Sequence, residues 1–219
     1  MQRLRLVGGN KTNCFFITAE QDCLIIDPGY EKDKIIEYVR KNDLVVQGIL
    51  LTHGHIDHIG AADCFNVPVY LHPADWDILA KNFSGGFAKY DQPNPYELDH
   101  LDLHPICDGE VVPCGNRNVE VIHTPGHSPG GVCFKVGDEL YTGDTLFYHT
   151  VGKWIYTDGD QQQMRESIIR LLETNHERLA VHPAHGRPTT IGEERAHNRF
   201  YLTWSSTDEL LADDIHDTL

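Results

Sequence analysis

Thr52-His53-Gly54-His55-Ile56-Asp57-His58-Ile59-Gly60 is the stretch that decides how this chain is read. Three histidines and an aspartate fall within six residues, directly after the apolar run Ile49-Leu50-Leu51. The apolar run is expected to be a buried strand, and the Gly-containing polar break the loop that leaves its end. Clustered imidazoles with one carboxylate suit a borderline-soft divalent metal such as zinc. His53 and His55 can reach one ion, while Asp57 and His58, one step along the loop, can reach a second. The bland alternative is a polar loop that happens to be His-rich. Four ligand-type side chains at this density weigh against it.

Three further stretches have the same form, a strand end followed by a loop with a ligand-type side chain. Glu120-Val121-Ile122 runs into His123-Thr124-Pro125-Gly126-His127-Ser128, and Leu140-Tyr141 into Thr142-Gly143-Asp144-Thr145. Ala180-Val181 runs into His182-Pro183-Ala184-His185-Gly186. Sites in sheet-based domains collect at one end of the strands, so these loops are expected to converge on the His53 loop. Gly126, Gly143 and Gly186, each beside a candidate ligand, allow the turns that aim side chains inward.

Counting donors gives a consistent assignment. His53, His55 and His127 supply one ion with three nitrogens. Asp57, His58 and His185 supply a second with a carboxylate and two nitrogens, and Asp144 bridges the two through its two oxygens. Each ion then keeps a position for water, the mark of a catalytic rather than a structural site. Of the other histidines, His72 follows a strand in the same half and could approach the site. His123 and His182 lie where they could fix the tautomer of a ligand. His100, His104, His149, His176, His197 and His216 read as surface or packing residues.

With 219 residues, 40% hydrophobic and 23% charged, the chain can bury a core and is expected to be globular. A net charge of −15 argues against a nucleic-acid backbone or an anionic membrane as partner. No apolar run approaches a membrane-spanning length, and the first ten residues lack the apolar core of a secretory signal. A cytoplasmic protein is therefore expected. The six cysteines form no CxxC pair. Cys14, Cys23, Cys64 and Cys133, in apolar surroundings, are expected to be free buried thiols.

Periodicity predicts strands over 4–7, 14–18, 23–26, 45–51, 67–71, 110–113, 118–122, 131–136, 139–141 and 179–181. The strand over 45–51 is expected to be buried on both faces. Helices are expected over 33–40, 60–65, 73–81, 160–172 and 191–201, with a final docked helix in the acidic tail from Thr207. Residues 82–105 read as an irregular connection, either a lid over the site or a plain linker. Each half runs strands first and helices after. That order predicts two packed sheets with helices outside, in a single domain of residues 1–219 with pseudo-halves of about 1–105 and 106–219.

Taken together, T-H-G-H-I-D-H (52–58), T-P-G-H-S (124–128), T-G-D-T (142–145) and P-A-H-G (183–186) resemble the metallo-β-lactamase fold superfamily. The resemblance covers most of the chain, from Ile26-Asp27-Pro28-Gly29 to His185 and His197-Asn198-Arg199-Phe200. It implies an α+β fold, a four-layer αββα sandwich with the metal site at one edge of the two sheets. Within the superfamily the chain is most similar to short bacterial glyoxalase II (hydroxyacylglutathione hydrolase). The shared aspartate and Gly143-Asp144-Thr145-Leu146-Phe147, followed by Gly152-Lys153-Trp154, carry that likeness. It implies that Lys153 contacts the carboxylates of glutathione, and it places Tyr156 one residue from the family's substrate tyrosine. A basic side chain in an acidic protein suits an anionic substrate. Two features depart from the family: 148–151 lacks the glycines usual before the Lys/Arg, and only about thirty residues follow His185. Long glyoxalase II enzymes place further glutathione contacts in a C-terminal helical domain, so weaker glutathione selectivity is expected here.

The implied reaction is hydrolysis of a small anionic thioester such as S-lactoylglutathione. A hydroxide shared by two divalent ions, zinc first with iron or manganese as alternatives, would attack the thioester carbonyl while Asp57 orients it. No serine or cysteine nucleophile is needed. The alternatives are a one-iron persulfide dioxygenase held by His53, His55 and Asp144, and a lactone or ester hydrolase. The dioxygenase usually has an arginine where Lys153 stands. A β-lactam hydrolase is disfavoured by the missing secretion signal, a nuclease by the net charge. A metal-binding protein without turnover is disfavoured because all seven ligands are present.

Overall fold

The structure is a computed structural model that describes residues 2–5, 11–81, 101–155 and 158–206. Two sheets dominate. In the first, β1 (Gln2–Arg5), β2 (Asn13–Ala19), β3 (Asp22–Ile26), β4 (Val45–Leu50), β5 (Val69–Leu71) and β6 (Leu103–Pro105) lie side by side in chain order. The first three pair antiparallel, and β4, β5 and β6 then add in parallel. In the second, β7 (Val111–Cys114), β8 (Arg117–His123), β9 (Val132–Val136) and β10 (Glu139–Gly143) form a meander. A small hairpin, β11 (Leu146–Phe147) and β12 (Thr150–Val151), follows it. The second sheet is completed by β13 (Ala180–Pro183), parallel to β10, with β14 (Thr189–Thr190) at the edge.

Side chains on a strand point alternately to opposite faces, and both sheets use both faces. Phe15, Ile17, Leu24, Ile26 and Leu50 of the first sheet meet Val119, Val121, Phe134 and Tyr141 of the second in the core between them. The intervening residues Cys14, Phe16, Cys23, Ile25 and Ile49 lie under Ile35 and Val39 of helix α1 (Lys32–Lys41). Cys133, Leu140 and Val181 on the far face of the second sheet lie under Met164, Ile168 and Leu171 of helix α4 (Gln161–Thr174). The result is helix on sheet on sheet on helix, an αββα sandwich. Short helices α2 (Ile56–Ile59) and α3 (Trp76–Lys81) belong to the first layer. Helices α5 (Ile191–His197) and α6 (Arg199–Trp204) complete the last, with Phe200 and Trp204 in its core. Among the described residues no helix is long and apolar enough to cross a membrane.

Several sequence expectations need correction. The helix expected over 60–65 forms earlier, at Ile56–Ile59, and carries Asp57 and His58 on its single turn. Only the second half of β4 is buried, because Val45 at its start is 51% exposed. Leu103–Pro105, read as irregular, is the parallel edge strand of the first sheet. The helix expected over 191–201 is two helices. Asn198 breaks it with an extended ψ of 110°, and its side chain accepts from the Phe200 and Tyr201 amides to cap the second. Cys114 joins the buried thiols, Cys64 is only partly buried, and all six cysteines are free. The possible lid or linker falls mostly in 82–100, which lies outside the described residues, as do 6–10, His100 and the tail from 207 with His216.

The topology decides where a site can form. β8 and β10 are each antiparallel to β9, and β13 is parallel to β10, so these three strands end on the same rim. The end of β4 meets that rim across the sandwich. The Val132 amide donates to the Thr52 carbonyl at 2.8 Å, and the Asn13 amide donates to the Ala184 carbonyl at 2.6 Å.

Candidate metal centre

All seven residues singled out as ligands meet at this rim. The loop after β4 brings His53 and His55, and α2 brings Asp57 and His58. The loop after β8 brings His127, the turn after β10 brings Asp144, and the loop after β13 brings His185. Gly126, Gly143 and Gly186 have positive φ (141°, 50° and 81°). At Gly143 the requirement is double, because a Cβ there would also collide with the Thr52 side chain.

The donor atoms sort into sets that share members: His53, His55 and His127; His53, His58 and Asp144; Asp57, His58 and His185. Within each set the donors lie within 4.8 Å of one another. Asp144 stands between the first and last. Its Oδ2 is 3.5 Å from His127 Nε2, while Oδ1 is 3.5 Å from His58 Nε2 and 3.4 Å from His185 Nε2. Asp57 Oδ2 lies 3.3 Å from His185 Nε2. His53 Nε2, His58 Nε2 and Asp144 Oδ1 are buried and take no hydrogen bond. Buried polar atoms without a partner are costly, and a shared cation would satisfy several of these at once.

The far side of three rings is fixed by the protein. His58 Nδ1 donates to Asp27 Oδ2 at 2.9 Å. Thr52 Oγ1 gives its own proton to Asp27 Oδ2 at 2.7 Å, so at 3.1 Å from His53 Nδ1 it acts as acceptor. His127 Nδ1 donates to the Lys153 carbonyl at 2.6 Å. In the neutral form of each ring these contacts put the proton on Nδ1 and leave the Nε2 lone pair facing inward, the form a metal ligand needs. His55 Nδ1 lies 2.9 Å from the His127 Nε2 lone pair, so both nitrogens are aimed at the same point.

Electrostatics splits the centre into two ends. Burial, with the imidazoles of His58, His55 and His127 around it, holds His53 well below the ordinary histidine range. Burial and His127 push His55 down to about 3. Burial also opposes charge on His58, yet the carboxylates of Asp27, Asp57 and Asp144 outweigh it and lift that ring to about 10. His185 is raised against its burial by Asp144 and Asp57. One end thus presents neutral nitrogen donors and the other favours positive charge. A divalent cation set satisfies both, and the donor set fits the metals of a His/carboxylate site.

The residues that hold this geometry are where sequence reasoning fell short. His123 and His182 do not fix a ligand tautomer. His123 stacks on His72 (centroids 4.2 Å apart) and its Nε2 lies 2.9 Å from the Pro129 carbonyl. His182 packs against Phe15 and Tyr141. His72 is in none of the donor sets. The tautomer-fixing partners are Asp27, Thr52 and the Lys153 carbonyl, and a further carboxylate, Asp75, had not been singled out. Asp75 is wholly buried and accepts from the Gly54 amide at 2.9 Å, Ser128 Oγ at 2.7 Å and the Gly130 amide at 2.5 Å. It joins the His53/His55 loop to the His127 loop. Lys153 is half-buried directly after the small hairpin, and Tyr156 lies outside the described residues.

The chain belongs to the metallo-beta-lactamase superfamily, whose family model matches residues 7–185. It is 32% identical over 197 residues to the hydroxyacylglutathione hydrolase GloC of Haemophilus influenzae, covering 86% of this chain and 92% of that one. It is similar to the solved structure of TTHA1623 in a di-iron-bound form, at 32% identity and a TM-score of 0.80, covering 91% of this chain and all of that one (100%). The BLEG-1 B3 metallo-beta-lactamase superposes with a TM-score of 0.79 at 33% identity, covering 91% of this chain and 98% of that one. Fold, family and donor clusters define a metallo-hydrolase.

Proposed function

We propose that this chain is a binuclear metal-dependent thioester hydrolase acting on a small anionic thioester of the S-lactoylglutathione type. The observation that carries the reading is Asp144, whose two oxygens face different sets of imidazoles. The likeness to GloC supports the thioester. His53, His55 and His127 would hold one ion, Asp57, His58 and His185 the other, with Asp144 common to both. When bound, two divalent ions supply Lewis acidity and a water made acidic near neutral pH, with zinc, iron and manganese all compatible with the donors.

The protein's own part is positioning. Asp27, Thr52 and the Lys153 carbonyl keep three rings in the ligand tautomer, so no reorganisation is needed as charge develops. Asp57 holds a carboxylate oxygen at the rim, placed to accept a hydrogen bond from the attacking water and aim it at the acyl carbon. A thiol has a pKa of about 8.5, so the leaving thiolate departs without a general acid. The Lys153 ammonium supplies a cation for a substrate carboxylate.

Metal content per chain in protein purified without chelators, assayed alongside S-lactoylglutathione turnover, tests the proposal. Two ions per chain with hydrolysis supports it. One iron per chain with oxygen uptake on glutathione persulfide, or turnover of a β-lactam or lactone without thioester cleavage, overturns it. Lys153→Ala leaves the carbonyl that orients His127 in place. It is expected to raise KM for S-lactoylglutathione about tenfold, the loss of one charge-assisted bond, with kcat little changed because the contact is remote from the acyl carbon.

A further inference from the structure

We propose that His149, Glu193 and His197 form a separate binding site for one divalent transition-metal ion, on the outer face of the second helical layer. The argument starts from placement. Glu193 and His197 lie four residues apart on α5, and that spacing puts both side chains on one face of the helix. The third residue comes from the turn between β11 and β12, where His149 adopts a left-handed backbone with φ of 58°. Its amide donates to Glu194 Oε2 at 2.9 Å. Glu194 is wholly buried and anchored in turn by Thr189 Oγ1 at 2.7 Å and Asn198 Nδ2 at 2.8 Å. The His149 backbone is therefore fixed against the helix that carries the other two donors.

The side chains converge. His149 Nε2 is 2.8 Å and His197 Nδ1 3.4 Å from the same oxygen, Glu193 Oε1, and the three donors lie within 4.8 Å of one another. Both rings lean the same way, with centroids 5.3 Å apart and planes at 29°. Tyr148 stacks on His149 with centroids 3.8 Å apart, and Arg187 sits over the Tyr148 ring. The hydrogen bond from His149, with His197 and Arg187 nearby, holds the Glu193 carboxyl below its usual range, so it is an anion ready for a cation.

An ordinary surface hydrogen bond accounts for His149 and Glu193 alone. His197 Nδ1 also has its own helix carbonyl, Glu193 O, at 3.2 Å. What an ion adds is a common partner for both imidazoles and the carboxylate, with the remaining positions left to water. Two imidazoles and a carboxylate suit zinc, nickel or copper better than magnesium or calcium. An ion here would clip the hairpin to α5. That hairpin is the segment between Asp144 and Lys153, so the clip would restrain a piece of chain that enters and leaves the hydrolytic centre.

The test is zinc binding by tag-free full-length protein, comparing the chain with His197→Ala and with His149→Asn, which keeps a residue tolerant of left-handed backbone. Each variant is expected to bind one zinc ion fewer per chain than the unaltered protein, with thioester hydrolysis unchanged at a zinc level that fills only the tighter centre. The unaltered protein alone is expected to gain a further rise in unfolding temperature as the additional ion binds. The readout is the difference in stoichiometry, so it does not depend on how many ions the hydrolytic centre holds. Equal stoichiometry in all three proteins would overturn the proposal, as would a loss that also removes metal from the hydrolytic centre.

Discussion

Asp144→Ala is expected to lower thioester hydrolysis by about 10³-fold, the upper end of what removing one stabilising group costs in an electrostatic site. Metal content is expected to fall from two ions per chain to one or fewer. The reason is geometric: Asp144 is the side chain whose oxygens reach both outer sets, at 3.5 Å from His127 on one side and 3.4 Å from His185 on the other. Without it the His58/His185 end keeps Asp57 but loses a carboxylate that helps raise both rings. Stability should respond differently from activity. Removing Asp144 relieves a buried carboxylate oxygen that has no hydrogen bond while withdrawing one of the charges facing His58 and His185. Those rings keep Asp57 and, for His58, Asp27, so the net cost to the metal-free fold is expected to be small. In chelator the variant and the unaltered protein are expected to unfold at nearly the same temperature. In excess zinc only the unaltered protein should gain the full increment, about 4 kcal/mol for each ion at a thousandfold excess over its dissociation constant. A variant equally destabilised in chelator would mean that Asp144 is a folding residue, and turnover at an undiminished rate would remove it from the centre. Thermal unfolding with and without chelator, beside metal analysis and kinetics, separates the three cases.

The ligands were legible in the sequence because each follows its own strand by a few residues. Thr52 to Gly60 carries four donors on one loop and one helical turn, and His127, Asp144 and His185 each follow an apolar run. The strand-like runs over 14–18 and 23–26 followed by the amphipathic pattern of 33–40, and the same order of strands before helices in the second half, were enough to predict two sheets with helices outside. What supports the ligands was not legible, because it is built from pairs far apart in the chain. Asp27 reads as the first residue of a turn, and only the pairing of β3 with β4 puts it beside Thr52 and His58. His123 and His182 were credited with that role because they neighbour ligands in sequence. His182 instead lies on β13, three residues before His185, and packs against Phe15 and Tyr141, while His123 stacks on His72. The break at Asn198 was missed for a related reason. The apolar spacing runs through it, and the cap becomes visible only when its side chain is seen to serve the following turn. His149 and His197 read as surface or packing residues because Glu193, the partner they share, is brought to His149 only when the β11–β12 turn packs on α5.

Asp75 is the extreme case of support that sequence cannot show, and replacing it is expected to have the largest effect on stability. Its carboxylate takes three donors, two of them amides beside ligands: Gly54 lies between His53 and His55, and Gly130 closes the turn that begins at His127 and Ser128. The side chain is wholly buried, so Asp75→Ala leaves two amides and a hydroxyl without a partner in a place where water has little access. Charge-assisted bonds contribute about 1.5–3 kcal/mol each and do not add fully, so a net loss of about 3–5 kcal/mol is expected. For a chain of this length that lowers the unfolding temperature by on the order of 10 °C. The metal centre should suffer unevenly. His53, His55 and His127 sit on the two loops that Asp75 joins, whereas Asp57, His58 and His185 are held through α2, Asp27 and the end of β13. Affinity at the first set is therefore expected to fall about 10- to 100-fold, the usual cost of losing an outer partner of a ligand, with the second set little changed. Asp75→Asn keeps one acceptor oxygen but turns an amide group toward a donor, so it should fall between the two proteins. Stepwise zinc titration checks the asymmetry: a uniform loss at both ends would show that Asp75 acts on the fold as a whole, and no loss at either would show that the two loops hold their positions without it.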